Sequence, residues 1–420
     1  MFKHSEPYLL SKQGSDRATA YDFANKAVTR NGKTHVVWTD AVAVTRGRTF
    51  DHAAGEWGEP ITIGEGRDNH NNPSLTADAE GRLRIAYGPH GIWDQLQEPE
   101  RWPSGSFKYS RASEPDTLAA FESVRPVGYC ATYACLLNTR DGRDALVYRG
   151  GEAPYSVLFQ IQRPQGGWTQ AQALFAQAIK PQYTFYGASL SAGPGGDLFV
   201  AAHFFHHETS RSEGVGILRS PDNGATWLDL KGRRIALPAL YGPRVAVPSF
   251  AAEHSPFNGG VVATPDGALW ALAHASQGSR YPLRLSRWDG RGWDTINLDE
   301  ALPPERGACR AHLSLDGAGR LHILATAVDK TRLAKGADPF GHPSLQIFHL
   351  GSNTEKTAFQ QRLVSDGDPE IPSWNPSLSL PGPFHPVEKP VLLFTKGLNQ
   401  PAGEHGCRHT WKTEVYCVLS

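Results

Sequence analysis

Residues 81–90 read GRLRIAYGPH, and this stretch sets the frame for the whole chain. Gly81 supplies a turn. Leu83, Ile85 and Tyr87 then alternate as one apolar face of a strand, and the chain leaves that strand at Gly88, with His90 two residues on. The same arrangement recurs from Gly32 to Thr39, Gly142 to Arg149, Gly196 to His203, Gly267 to His274 and Gly319 to Thr326. In each case seven residues separate the turn glycine from the outlet of the strand. A repeat of this kind means stacked equivalent units, and equivalent positions then open onto one shared surface. Four of the six units place His or Arg at that outlet or just beyond it.

A second alignment fixes the strand that enters each unit. Asn25 precedes Val28, Asn72 precedes Leu75 and Asn375 precedes Leu378 by three residues, and the strings NNPSL (71–75) and WNPSL (374–378) nearly repeat. Short apolar runs bounded by turn residues argue for all-β structure, and no segment shows the period of a long amphipathic helix. Seven units follow, at about 22–62, 70–126, 130–178, 184–238, 249–300, 309–365 and 373–420. The expected fold is a seven-bladed β-propeller forming a single domain over residues 1–420, with long loops. A β-helix would need shorter rungs. The segment around Tyr8–Leu10 is expected to give the last blade an outer strand and close the ring, which removes exposed sheet edges. Ser220-Pro-Asp222-Asn-Gly224-Ala-Thr226-Trp227 matches the Asp-box turn, S-x-D-x-G-x-T-W, whose role is structural.

Composition narrows the function. Lys and Arg number 42, as do Asp and Glu, so the formal charge is zero. Nucleic-acid and membrane-surface proteins need a basic excess, and neither partner is expected. No apolar run is long enough to span a bilayer, and the first residues lack the apolar stretch of a signal peptide. The only Met is Met1, which is compatible with a start codon placed before a mature sequence, so a secreted or periplasmic location is the expectation. Five cysteines are too few for a disulfide scaffold. Cys130 with Cys135, Cys407 and Cys417 around His409, and Cys309 with His312 could hold zinc, but the pairs lack tight ligand spacing. Buried free thiols are expected instead, with no metal site and no cofactor required for the chemistry.

One constellation could carry chemistry. In the second unit His70 and Asn72 enter the first strand and His90 leaves the second, so adjacent antiparallel strands bring the two imidazoles together. In the third unit Tyr133 enters and Arg149 leaves. Tyr186 repeats the register of Tyr133, each four residues before a Leu, and His203 and His274 occupy the next two outlets. Removing a proton from the carbon beside a carboxylate needs a cation to hold the growing charge, a base, and an acid for the leaving oxygen. Arg, neutral His and Tyr are that set, which is the parts list for β-elimination from a uronic acid. A hydrolytic glycosidase would want two carboxylates, and the inferred rim is poor in Asp and Glu apart from Asp40 and Asp68.

DNHNNPSL followed by GPHG, then Tyr133 and Arg149, resembles the BNR-repeat propeller lyases of the ulvan lyase type. The likeness in motif and spacing is closest over about 67–150. It implies a seven-bladed polysaccharide lyase acting on uronate linked to sulfated rhamnose. It further implies His70 and Tyr133 as the proton-transfer pair, Arg149 as the neutraliser of the carboxylate and His90 as an active-site partner, with base and acid unassigned within the set. Tyr186, His203, Asn72 and His274 are the expected substrate-binding residues, and the partner is an anionic polysaccharide. Two other readings stand beside it. A sialidase-like glycoside hydrolase would need three Arg, of which only Arg149 is in register. A glycan-binding propeller without chemistry would use the same rim. Taken singly, each residue also has a plain structural use: strand capping for His70, a loop position for His90, core packing for Tyr133 and carbonyl bridging for Arg149.

Overall fold

The structure is a computed structural model that describes residues 5–21, 23–66, 69–88, 90, 105–150, 156–176, 183–185, 187–206, 209, 211–248, 255–275, 281–334, 337–398 and 413–420. Among the described residues the regular elements are β-strands and two short 3-10 turns, Ala41–Ala43 and Asp299–Ala301. All six repeat glycines adopt the left-handed backbone, with φ between +72° at Gly32 and +94° at Gly196. Each leads into the expected strand: Lys33–Asp40, Arg82–Tyr87, Asp144–Gly150, Leu198–His206, Leu269–His274 and Leu321–Asp329. Around Gly32, Gly142, Gly267 and Gly319 a methyl group would meet nothing within 4 Å. The turn therefore demands glycine for its φ rather than for space.

The strands form antiparallel sheets of four or five, and one of nine. The sheet Ser74–Ala77, Arg82–Tyr87, Phe107–Pro115 and Arg125–Val127 lies next to the sheet Thr132–Asn138, Asp144–Gly150, Ser156–Ile161 and Gln172–Phe175. In the nine-stranded sheet, Ser373–Leu378, Val391–Lys396, Thr413–Leu419 and Tyr8–Gly14 form one antiparallel run. It joins the run that contains Lys33–Asp40 through a single residue pair, Gly14 with Asp40. The fold is thus all-β and propeller-like.

Apolar faces pack sheet on sheet. Val28 and Val37 meet Leu75, Ile85 and Tyr87, and Ala86 and Phe107 meet Leu136 and Leu146. Cys135 and Val147 in turn meet Leu190 and Val200. The succession runs on to Leu324 and Ile347 against Leu392 and Phe394. Val36 and Trp38 then pack on Leu393 and Val415, so the first strands lie against the last.

The two sheets that carry the second and third outlets are tied at both ends. Arg84 bonds Asp78 of its own sheet at 2.6 Å and Asp144 of the next at 2.7 Å. Ser74 Oγ accepts the Leu136 N–H at 2.9 Å, and Asn72 donates to the Ala134 carbonyl at 3.2 Å. The Asp-box forms as expected: Asp222 accepts the Thr226 N–H and hydroxyl, each at 2.7 Å, and Trp227 is buried against Phe159. Hydrogen bonds from Thr226 and Ser220 outweigh partial burial and hold the Asp222 carboxyl below the usual carboxylate range.

The entering strands share a further feature. Thr132–Asn138 carries one extra residue between its Thr132–Arg149 and Cys135–Val147 pairs. Equivalent irregularities interrupt Phe257–Ala263, Arg306–Leu315 and Ser373–Leu378. Such bulges re-aim side chains and recur beside functional sites.

Candidate active site

The loop before Ser74 uses three asparagines to present one histidine. Asn69 donates to the Asp16 carboxylate at 3.1 Å. Asn71 bonds the Ala43 carbonyl and Thr45 Oγ1, and accepts the Gly88 N–H at 2.6 Å. Asn72 accepts the Tyr21 N–H at 2.9 Å and the Lys26 ammonium at 3.2 Å. With its neighbours anchored, His70 faces the cluster. The ring of His90 stacks on it, with centroids 3.7 Å apart and planes 17° apart. The predicted meeting of these two imidazoles across adjacent strands is what the coordinates hold.

Tyr133 sits at the bulge with φ +64°, in a region that an aromatic residue rarely occupies and that costs about 1–3 kcal/mol. The bulge takes the ring out of strict alternation and sets it 6.2 Å from His70. Arg149, whose Cα pairs with Thr132, lays its guanidinium over the Tyr133 ring at 4.6 Å. His70, His90, Tyr133 and Arg149, four positions drawn from two sheets, therefore converge. His70 and Tyr133 are buried, while His90 and Arg149 are half-buried and form the open side of the group.

Two members of the cluster escaped the sequence reading. Tyr21 packs on Tyr133 with centroids 4.4 Å apart and lies 6.0 Å from His70. Arg17 donates from Nη1 to the Tyr21 hydroxyl at 2.8 Å, and the same nitrogen is 2.6 Å from His70 Nε2. Burial disfavours the Arg17 charge, but the phenols of Tyr21 and Tyr133 and the carboxylate of Asp16 more than compensate, and its pKa is raised. Tyr21 had a signal: it lies four residues before Asn25, as Asp68 lies four before Asn72. Arg17 lies upstream of every repeat and had none.

The remaining expected residues fall elsewhere. Asn72 is buried and spends its amide on the Tyr21, Lys26 and Ala134 groups, so its place is to brace the rim loops. His203 and His274 gather around Phe257, at 4.8 Å and 5.9 Å. Burial, helped by the Arg310 charge, lowers both to about 3 and holds them neutral. Tyr186 lies outside the described residues, as do Asp68, Cys407 and His409. Cys130, Cys135 and Cys417 are buried and Cys309 is half-buried. Among the described residues no three His, Cys, Asp or Glu side chains gather as a metal ion would require.

An array of antiparallel sheets with a basic and aromatic cluster at its strand outlets defines a propeller-like protein. Residues 40–366 match the BNR repeat-containing family, and the chain belongs to it. A curated relative, the PL25 ulvan lyase of Pseudoalteromonas sp. (strain PLSV), is 20% identical over 339 residues, covering 71% of this chain and 68% of its own. A solved PL25 ulvan lyase, described as a polysaccharide lyase, matches with a TM-score of 0.73 at 16% identity, covering 99% of this chain and 96% of its own. A second, bound to -[GlcA(1-4)Rha3S]-, matches with a TM-score of 0.71 at 15% identity over the same shares. At such identities the structural likeness is one of fold.

Proposed function

We propose that this chain is a polysaccharide lyase that cleaves ulvan-like polymers of uronate and sulfated rhamnose by β-elimination. The observation that carries the reading is the convergence of His70, Tyr133 and Arg149, with the guanidinium 4.6 Å from the phenol ring and the imidazole 6.2 Å from it. The ulvan lyase relative and the sugar-bound neighbour support the choice of polymer.

Arg149 neutralises the carboxylate of the bound uronate. That charge grows as the C5 proton departs, so a fixed cation acts mainly on the transition state. His70 and Tyr133 form the proton-transfer pair: one takes the C5 proton and the other protonates the O4 leaving group as the C4–O bond breaks and the C4–C5 double bond forms. His90 stacks on His70 and completes the site. No metal or cofactor is required by this scheme.

The same reading takes the fold as a seven-bladed, single-domain propeller. It is supported by apolar clusters that run from each sheet to the next and return from the last strands to the first, and by the strand Tyr8–Gly14 pairing outside Thr413–Leu419. Its polymer substrate is too large to cross a membrane, so the enzyme acts outside the cytoplasm. Mass spectrometry of digested ulvan tests the chemistry: unsaturated fragments one water lighter than hydrolytic ones support elimination, and hydrated fragments overturn it.

A further inference from the structure

We propose that Arg17 is a positioning residue that keeps His70 neutral, with the ring proton on Nδ1 and the Nε2 lone pair held by the guanidinium. The inference rests on the reading of His70 as a member of the site, and it concerns the resting state of that imidazole, in which Nε2 can accept a proton only after the Arg17 guanidinium lets go of it.

The geometry leaves one arrangement. A guanidinium has donors and no acceptor, so the 2.6 Å contact from Arg17 Nη1 to His70 Nε2 makes Nε2 the acceptor. An imidazolium has no lone pair to offer there, and the Nε2–H tautomer would set two N–H groups against each other. Only neutral His70 protonated at Nδ1 fits. Arg17 is partly buried and carries a permanent charge, so it also opposes a second positive charge beside it. The ring of His90 stacks on the other face of the site, with its centroid 3.7 Å from that of His70.

Among the described residues, the segment before Ala27 brings Asp16, Arg17, Tyr21 and Lys26, the outlet of Arg82–Tyr87 brings His90, and the next sheet brings Tyr133 and Arg149. Among the described residues Asp16 is the carboxylate beside Arg17, and Asn69 donates to it at 3.1 Å. Arg17 also donates to the Tyr21 hydroxyl at 2.8 Å, so one guanidinium is fixed between the phenol and the imidazole.

The test is histidine-selective 15N labelling, followed by long-range 1H–15N spectra from pH 5 to 8, with His70 identified by its loss in His70→Gln. The expected wild-type pattern is neutral imidazole with the proton on Nδ1 at pH 7. In Arg17→Met the titration midpoint of His70 rises by about one pH unit, and in Arg17→Lys by less. The resonances of His312 and His385, both buried away from the cluster, report whether each variant is folded. A wild-type Nε2–H tautomer or imidazolium at pH 7 overturns the proposal outright, whatever the variants do. So does a midpoint that moves by less than about 0.3 unit in a folded Arg17→Met protein. The spectra need no substrate, so failure here is distinguishable from failure of the lyase reading, which product chemistry decides.

Discussion

Replacing Arg149 by Met removes the cation that lies over the Tyr133 ring while keeping much of its stem. The magnitude follows from charge pairing, since a carboxylate bound to a guanidinium lies about 4 Å from the centre of its charge. Two unit charges at about 4 Å, in surroundings with an effective dielectric of about 20, interact by about 4 kcal/mol. Each 1.4 kcal/mol off the barrier is about tenfold in rate, so kcat/KM on ulvan should fall by about three decades. Arg149→Lys keeps the charge but loses the planar fork and should fall between the two. The assay is the initial rate of unsaturated product formation at fixed pH, with circular dichroism to show that the variant is folded. A folded Arg149→Met enzyme within tenfold of wild type would refute the reasoning, because the growing negative charge would then be held elsewhere.

Three further outcomes follow from the same coordinates. Tyr133→Phe keeps the ring packing against Tyr21 and Arg149 but removes the hydroxyl, so turnover should fall by about two decades or more with an unchanged urea midpoint; a fully active variant would exclude the phenol from proton transfer. Burial holds five histidines neutral in the folded chain, His203, His274 and His312 down to about 3, and His35 and His385 down to about 4. These folded values lie below the unfolded one of about 6.5, so the unfolded chain binds more protons and stability drops as pH falls below about 6.5. Each His then removes up to about 1.4 kcal/mol per pH unit until its folded value is reached. Urea midpoints at pH 7.5, 6.5 and 5.5 should therefore decline, and a midpoint at pH 5.5 equal to that at 7.5 would contradict the burial of these rings. Gly267→Ala meets no atom within 4 Å but must adopt φ +84°, so it should cost about 1 kcal/mol by chemical denaturation, and an unchanged stability would mean that the turn relaxes.

The turn-and-strand repeat was legible because period and φ are local properties. A glycine followed by an alternating strand announces itself at Gly32, Gly81, Gly142, Gly196, Gly267 and Gly319, and each takes the left-handed backbone. The pairing of His70 with His90, and of Tyr133 with Arg149, followed from antiparallel register alone. The bulge that turns Tyr133 toward His70 was not legible, since an extra residue in a strand leaves no mark in composition. Nor was the use of Asn72, whose rim position suggested substrate yet whose amide braces three backbone and side-chain groups. Arg17 was hidden for a different reason. It joins the cluster from a segment outside the repeats, through a contact 53 residues away in sequence, and no periodicity reports such a contact. His203 and His274 shared the outlet register, but register fixes position along a strand and not the depth of burial.

The most direct test is ultraviolet absorbance on mixing the purified protein with ulvan. Elimination makes a C4–C5 double bond conjugated with the uronate carboxylate, so absorbance should climb steadily with wild type and barely move with Tyr133→Phe. A flat trace with ulvan while new reducing ends accumulate would mean that water, and not a rim base, cuts the polymer.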